Sequence, residues 1–406
     1  MRILIVGINF YPELTGIGKY TGELAHVLAQ QGHQVTVVTA PPYYPHWQIQ
    51  PGYSGSRYQT EIHQNLKIIR CPLWIPRHIS GLKRILHLFS FALLSFWVIL
   101  REARNKPDVI LSIAPTLVAA PAAALAGKRC KAITWLHIQD FEVDAALGLG
   151  ILKNRPLVRN AATGFEKWVY RKFDRISTIS QKMVEHLEEK GVPPEKIVYF
   201  PNWVNTDEIF PLDNENGYRQ NLGLDAEDIV VLYSGSMGAK QGLEILIESA
   251  SLLHSYSKIH FVLCGEGPAK TALQSAAAAC SNVHFLPLQP AEMLNELLNM
   301  ADIHVLPQKI GAADLVMPSK LGGMLASGKP VIATAFAGTG LGEVVGQAGV
   351  QVPPEDAAAL AGAILKLTQA PAERIKLGKK GRAYALAHWN SEKVLKQFCC
   401  HLNNLL

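Results

Sequence analysis

Two glycine-bearing turns, one helix start and one histidine carry the side chains with chemistry to offer. The first turn is Pro12-Glu13-Leu14-Thr15-Gly16-Ile17-Gly18-Lys19-Tyr20. Glycines just ahead of a helix let backbone N–H groups approach an anion, and the helix dipole adds to the attraction. Gly16 and Gly18 are therefore candidate phosphate contacts, and the competing reading is a plain surface loop. The second turn, Gly235-Ser236-Met237-Gly238-Ala239-Lys240-Gln241-Gly242, directly follows a strand-like run and precedes a helical one. Ser236 and Lys240 are placed there for a diphosphate, against the alternative of a merely solvated lysine. The third, Met317-Pro318-Ser319-Lys320, opens a predicted helix, where Ser319 and Lys320 would meet phosphate oxygens beside free N–H groups. Ser319 also reads as a simple N-cap, and the two roles are compatible. His137 ends a strand in Trp135-Leu136-His137-Ile138-Gln139-Asp140. Strand C-termini are where open α/β sheets place ligands, and Asp140 could orient the ring or bind a hydroxyl.

The elements that must hold these turns are legible as alternation. Short β-branched runs alternate with longer helical patterns, which predicts an α/β chain of parallel sheets with crossover helices. Strands are predicted at Ile3–Val6, Gln34–Thr39, Lys67–Arg70, Val109–Ser112, Ala132–Leu136 and Arg175–Ile179 in the first half. In the second half they are predicted at Ile229–Ser234, His260–Cys264, Val283–Leu286, Ile303–Leu306 and Pro330–Thr334. These runs are continuous rather than alternating, as strands buried on both faces should be. Each half opens with strand, glycine turn and helix; the helices are expected near Tyr20 and over Leu243–Leu253. The repeat is one of topology, and two Rossmann-like units explain it. A length of 406 residues also exceeds what one core usually organises. The turn-rich stretch from Pro201 to Asn214 marks the boundary. Residues 1–205 form the first predicted domain and residues 206–390 the second, with a last helix at 391–406 packing back on the first.

Composition narrows the partners. The net charge is +6 with no long basic run, which argues against nucleic acid and fits anionic small molecules or an anionic membrane surface. Six cysteines show neither C-x-x-C pairing nor a metal-ligand spacing, as in a reducing compartment. The N-terminus enters a strand directly and carries no signal-peptide pattern, so a cytoplasmic location is expected. A nicotinamide dinucleotide fits poorly. The G-x-G comes nine residues after the strand ends at Gly7, and no acid follows Val38-Thr39 to hold a ribose.

The segment Leu86–Leu100, LHLFSFALLSFWVIL, departs from the alternation. It falls short of the roughly 20 apolar residues a bilayer-spanning helix needs. It reads either as a buried crossover helix or as an interfacial helix exposing Phe89 and Trp97. In the second case its basic flanks, Lys83, Arg84 and Arg101 among them, would sit at anionic headgroups and serve the acceptor side.

Together these stretches resemble family-four retaining glycosyltransferases over essentially the whole chain. The resemblance rests on Gly7-Ile8-Asn9-Phe10-Tyr11-Pro12-Glu13, Thr15-Gly16-Ile17-Gly18-Lys19-Tyr20, Pro201-Asn202-Trp203-Val204, Cys264-Gly265-Glu266-Gly267-Pro268 and Gly328-Lys329-Pro330-Val331-Ile332-Ala333-Thr334. Three further stretches, Ala40-Pro41-Pro42-Tyr43-Tyr44-Pro45, Lys240-Gln241-Gly242-Leu243-Glu244 and Ala313-Asp314-Leu315-Val316-Met317-Pro318-Ser319-Lys320, are similar to colanic-acid-type fucosyltransferases of bacterial exopolysaccharide assembly.

The resemblance implies a GT-B fold: two Rossmann-like domains facing across a cleft, with the nucleotide held mainly by the second. It implies a nucleoside diphosphate sugar as donor, a glycan or polyprenyl-diphosphate-linked acceptor, and neither cofactor nor metal. The chain indeed carries no D-x-D triplet. Position by position, Gly16 and Gly18 would approach the donor diphosphate, His137 the transferred sugar and acceptor hydroxyl, and Gly265 and Glu266 the nucleotide. The family's two glutamates fall at Leu315 and Gly323 here, with Asp314 the nearest acid. Its arginine and lysine in the second turn fall at Ser236 and Gln241, with Lys240 next door. Lys240, Ser319 and Lys320 are expected to take over. A GT-B sugar-nucleotide epimerase and a non-catalytic sugar- or lipid-binding protein remain the rival readings.

Overall fold

Continuous apolar runs become strands that are buried on both sides. The computed structural model describes residues 1–13, 16–78, 80–148, 156–212, 217–238, 241–310 and 317–405. The chain divides into two compact units, Met1–Pro201 with Leu395–Leu406, and Asn202–Val394.

The first unit contains β1 (Arg2–Val6), β2 (Gln34–Thr39), β3 (Gln59–His63), β4 (Leu66–Arg70), β5 (Val109–Ala114), β6 (Ile133–Ile138), β7 (Arg175–Thr178) and β8 (Ile197–Tyr199). They form one sheet in the order β3-β4-β2-β1-β5-β6-β7-β8. Every pairing is parallel except β3 with β4. Ile5 stands opposite Val37 on one side and Leu111 on the other, all three fully buried. The last helix, Ser391–Asn403, brings Phe398 to 5.0 Å from Trp135 and 4.3 Å from Phe200, ring centre to ring centre.

The second unit contains β9 (Ile229–Ser234), β10 (Ile259–Cys264), β11 (Val283–Leu286), β12 (Ile303–Leu306), β13 (Val331–Thr334) and β14 (Val350–Val352). Its order is β11-β10-β9-β12-β13-β14, parallel throughout. Successive side chains of a strand point to opposite faces. Val231 and Tyr233 accordingly join one core and Val230 and Leu232 the other.

All eleven predicted strands are present. The three that were missed lie at sheet edges. β3 is largely exposed and polar, and β8 and β14 are three residues each, so none produces an apolar run. In each sheet the strand order reverses beside the first strand, between β1 and β5 and between β9 and β12. Ligands of open α/β sheets bind outside the strand C-termini at such a reversal.

Two helices differ from expectation. α1 (Gly16–Gln30) starts four residues before Tyr20, so Gly16 and Gly18 belong to its first turn rather than to a loop ahead of it. α2 (Gly81–Glu102) has 22 residues, because Ser80 caps it and the flanking Lys83, Arg84 and Arg101 continue the helix. By length and composition alone α2 is long and apolar enough to cross a membrane. The shortness argument therefore fails. What opposes a span is its buried face: His87, Phe91, Ser95, Val98, Ile99 and Glu102 pack into the first unit.

Candidate functional site

In the second unit the reversal beside β9 gathers three turns. Gly235 N donates to Cys264 O at 2.9 Å, and Met237 N donates to Glu266 O at 2.9 Å. The loop after β9 thus lies backbone to backbone against the loop after β10. Gly265 has φ +147°, and a Cβ there would stand 2.0 Å from Gly235 O, so only glycine fits. A Cβ on Gly235 would in turn approach Lys320 Nζ to 3.0 Å.

Lys320 opens the helix Lys320–Ala326. Its Nζ donates to Tyr233 Oη at 2.7 Å and lies 4.0 Å from the centre of that ring. Tyr233 Oη donates onward to Ser236 O at 2.5 Å. Among the described residues no carboxylate pairs with this ammonium, and burial alone pushes it down to about 7. An ammonium whose charge burial disfavours, at a helix start and against a glycine turn, is suited to receiving an anion. Ser319 is exposed and caps nothing, so its hydroxyl is available to a ligand. Glu266 is half exposed and pairs with Lys270 at 2.6 Å. Lys240 and Asp314, both expected at this site, lie outside the described residues, as does Leu315. A Cβ on Gly323 would approach Leu298 Cδ1 to 3.3 Å.

Sequence reasoning missed Tyr233, which carries Lys320 and orients Ser236. The available signal was a lone tyrosine ending an otherwise aliphatic strand. It also gave no role to Gln241 and Gln308, whose buried amide oxygens have no hydrogen-bond partner among the described residues. Their neighbours Gly242 and Lys309 touch, since a Cβ on Gly242 would meet Lys309 Cγ at 2.9 Å.

In the first unit His137 is buried in β6, 3% exposed, and 5.0 Å from the Phe200 ring. Its Nδ1 meets Ser177 Oγ at 2.9 Å. Ser177 Oγ also accepts from Trp135 Nε1 at 2.8 Å. Burial lowers the His137 pKa to about 3, so the ring is neutral at any working pH. Ser177, 40 residues on, is a ring partner that sequence reasoning did not name beside Asp140. Asp140 lies close enough to Glu142 for its charge to raise that carboxyl. Burial is the larger cause, and Glu142 reaches about 7 while accepting from Leu117 N at 3.1 Å. Glu142 was not anticipated. It lies at the reversal between β1 and β5, because Leu117 follows β5.

Gly16 and Gly18 sit on the same edge, and Gly18 has a second reason to be glycine. A Cβ there would strike the Glu13 side chain at 2.7 Å. Glu13 is buried, accepts from Tyr43 N and Tyr44 N at 2.9 Å each and from Asn9 Nδ2 at 2.8 Å, and is held above the usual carboxylate range mainly by burial. It ties the loop after β1 to the loop after β2.

Comparison with known proteins decides the family. Residues 15–203 match the glycosyl transferase 4-like domain and residues 228–370 the glycosyl transferases group 1 domain. The colanic acid biosynthesis glycosyl transferase WcaI of Escherichia coli is 43% identical over 98% of both chains. The chain is a family-four glycosyltransferase. A second relative, the glycosyltransferase WbjE of Pseudomonas aeruginosa, is 24% identical over 80% of both chains. Among solved structures, sucrose-phosphate synthase from Thermosynechococcus elongatus superposes with a TM-score of 0.78 at 20% identity, covering 100% of this chain and 98% of that one. HepE of Anabaena, in complex with UDP, gives 0.72 at 16% identity with full coverage of both. These likenesses establish the GT-B fold for this glycosyltransferase. Its remaining predicted site residues, Lys83, Arg84, Phe89, Trp97 and Arg101, all project to solvent from α2.

Proposed function

We propose that this glycosyltransferase moves a sugar, fucose or an N-acetyl deoxyhexose, from a nucleoside diphosphate sugar with retention of configuration. The acceptor is a glycan or a polyprenyl-diphosphate-linked sugar in surface polysaccharide assembly of the colanic acid type. The 43% identity to WcaI supports the polysaccharide class, and the UDP in the HepE complex is in keeping with a nucleoside diphosphate donor. The reaction takes place in the cytoplasm, on an enzyme associated peripherally with the inner face of the membrane. The observation that supports the reading most is the Lys320 ammonium between Tyr233 and Gly235, which no carboxylate among the described residues pairs with. Charge building up on the departing diphosphate is met there by a fixed cation and the helix N-terminus, without a metal ion. Near the first unit's strand C-termini, the neutral His137 ring hydrogen-bonds a sugar hydroxyl rather than acting as a charged acid. The acceptor hydroxyl attacks from the face that the diphosphate leaves, and the departing oxygen takes up its proton.

A thermal-shift screen against GDP, UDP, ADP and dTDP, each with and without EDTA, tests this. One nucleotide should raise the unfolding temperature selectively and EDTA should leave that shift unchanged. Stabilisation by none of the four, or only with a divalent ion, refutes it.

A further inference from the structure

α2 turns two apolar faces to two environments. Opposite its buried side, Leu82, Leu86, Phe89, Leu93 and Trp97 are at least half exposed, the last two 73%. Steps of three and four residues set these five on one stripe. A water-facing helix surface carries polar residues at such positions. Tyr58 and Trp74, also roughly half exposed, are fastened to the same helix. Tyr58 Oη donates to Leu94 O at 2.9 Å, Trp74 N donates to Ser90 Oγ at 3.2 Å, and His87 Nδ1 meets Trp74 O at 2.7 Å.

Charge around the stripe has one sign. From residue 41 to residue 107 the chain holds nine lysines and arginines against two carboxylates. Both carboxylates are spent internally, Glu61 on Arg70 and Glu102 on Lys67 and Arg101. Arg57, Arg77, Lys83, Arg84, Arg104 and Lys106 remain exposed. Lys83 and Arg101 are eighteen residues apart, about five helical turns, and so flank the stripe near its two ends on the same side.

Beside the stripe, Phe96 forms one wall of a groove of about 770 Å³. The helices Ala120–Cys130 and Pro156–Arg171 form the others, with Leu125 and Trp168 exposed at the groove and Lys128, Lys131 and Lys172 also lining it. Asp174 also lines the groove, its carboxylate turned to Thr134, whose N and Oγ1 donate to it at 2.8 Å each. An apolar trough bordered by ammonium groups matches an acyl chain beneath an anionic headgroup.

We infer that the first unit docks in the plane of an anionic phospholipid membrane through the α2 stripe, with one lipid acyl chain entering the groove beside Phe96. Spanning would strip the buried face and the Glu102 ion pairs from the unit, so the helix lies on the bilayer. Docking deepens the peripheral association proposed above and does not depend on which donor is used.

Sedimentation of the full chain with two kinds of vesicle tests it. One is phosphatidylcholine alone and the other phosphatidylcholine with phosphatidylglycerol. The chain should pellet with the second kind only, and added salt should release it. Leu93→Glu with Trp97→Glu, both at exposed positions, should weaken binding by roughly tenfold or more. Lys83→Glu with Arg101→Glu should do the same without touching the apolar stripe. Soluble dihexanoyl phosphatidylglycerol should bind the wild-type chain and not Ala124→Trp, which fills the groove. A wild-type chain indifferent to phosphatidylglycerol, glutamate variants that bind undiminished, or an Ala124→Trp chain that still takes the short lipid would overturn the proposal. Nucleotide-induced thermal shifts measured on the same proteins keep the two questions apart. Vesicle binding lost with nucleotide response intact concerns docking alone, and the converse concerns the donor alone.

Discussion

Replacing Lys320 with methionine keeps the length of the side chain and removes an ammonium that burial disfavours and that no carboxylate among the described residues pairs with. Burial lowers this ammonium from 10.5 to about 7. A displacement of that size corresponds to about 5 kcal/mol spent on keeping it charged in the empty protein. The sign follows from linkage. Below pH 7 the lysine is charged both folded and unfolded, and the folded state bears the whole penalty. Between pH 7 and 10.5 only the unfolded chain binds the proton, so stability rises with pH. Lys320→Met should therefore raise the unfolding temperature of the empty enzyme at pH 6.5, and the gain should fade towards pH 10. A bound diphosphate restores the charge, so nucleotide binding should take up about 0.9 proton at pH 8 and about 0.1 at pH 6. Isothermal titration in two buffers of different ionisation enthalpy reads this directly. Above pH 7.5 affinity should fall by about tenfold per pH unit. At pH 6.5 the methionine variant should bind about 10- to 100-fold more weakly, the worth of one charge-assisted hydrogen bond. Proton uptake that persists in Lys320→Met, or a wild-type affinity flat between pH 7.5 and 9, would refute the assignment of this ammonium to the diphosphate.

Gly265→Ala places a methyl 2.0 Å from Gly235 O at φ +147°. It should cost at least about 2 kcal/mol in urea unfolding and weaken nucleotide binding through the displaced Gly235 turn. Glu13→Ala leaves Tyr43 N and Tyr44 N without their buried acceptor, for a loss of about 2–4 kcal/mol. A loss below 1 kcal/mol would show that water replaces the carboxylate. His137 and His304 are both buried and lowered to about 3, so each stays neutral when folded but protonates near 6.5 when unfolded. Stability should decline below pH 6.5 by up to about 1.4 kcal/mol per pH unit for each histidine. His137→Gln should lower the transfer rate without changing the shape of its pH profile; an acid limb that vanishes in the variant would restore a charged histidine to the mechanism.

What the sequence disclosed and what it hid divide along one physical line. Strands buried on both faces must be apolar throughout, so β1, β2, β9 and β10 announce themselves. β3, half in water, has no such obligation. Glycines forced by close backbone approach are equally legible, and Gly265 stands where the pattern placed a donor contact. Polar residues are harder, because their role depends on partners brought from elsewhere in the chain. Lys320 was visible as a helix-start cation, but its seat against the Tyr233 hydroxyl and ring, 87 residues away, was not. His137 was visible at a strand end, and its partner Ser177 lies 40 residues on, on β7. Glu13 and Glu142 went unremarked because nothing in their local sequence tells a buried carboxylate from a solvated one. The apolar segment shows the same limit in another form. Its composition gave the length of a hydrophobic stretch but not which side the fold would cover, and the uncovered side is what decides between a core helix and one that meets a bilayer. In this chain the pattern locates the functional edges, and the long-range pairings determine which residues at those edges carry charge.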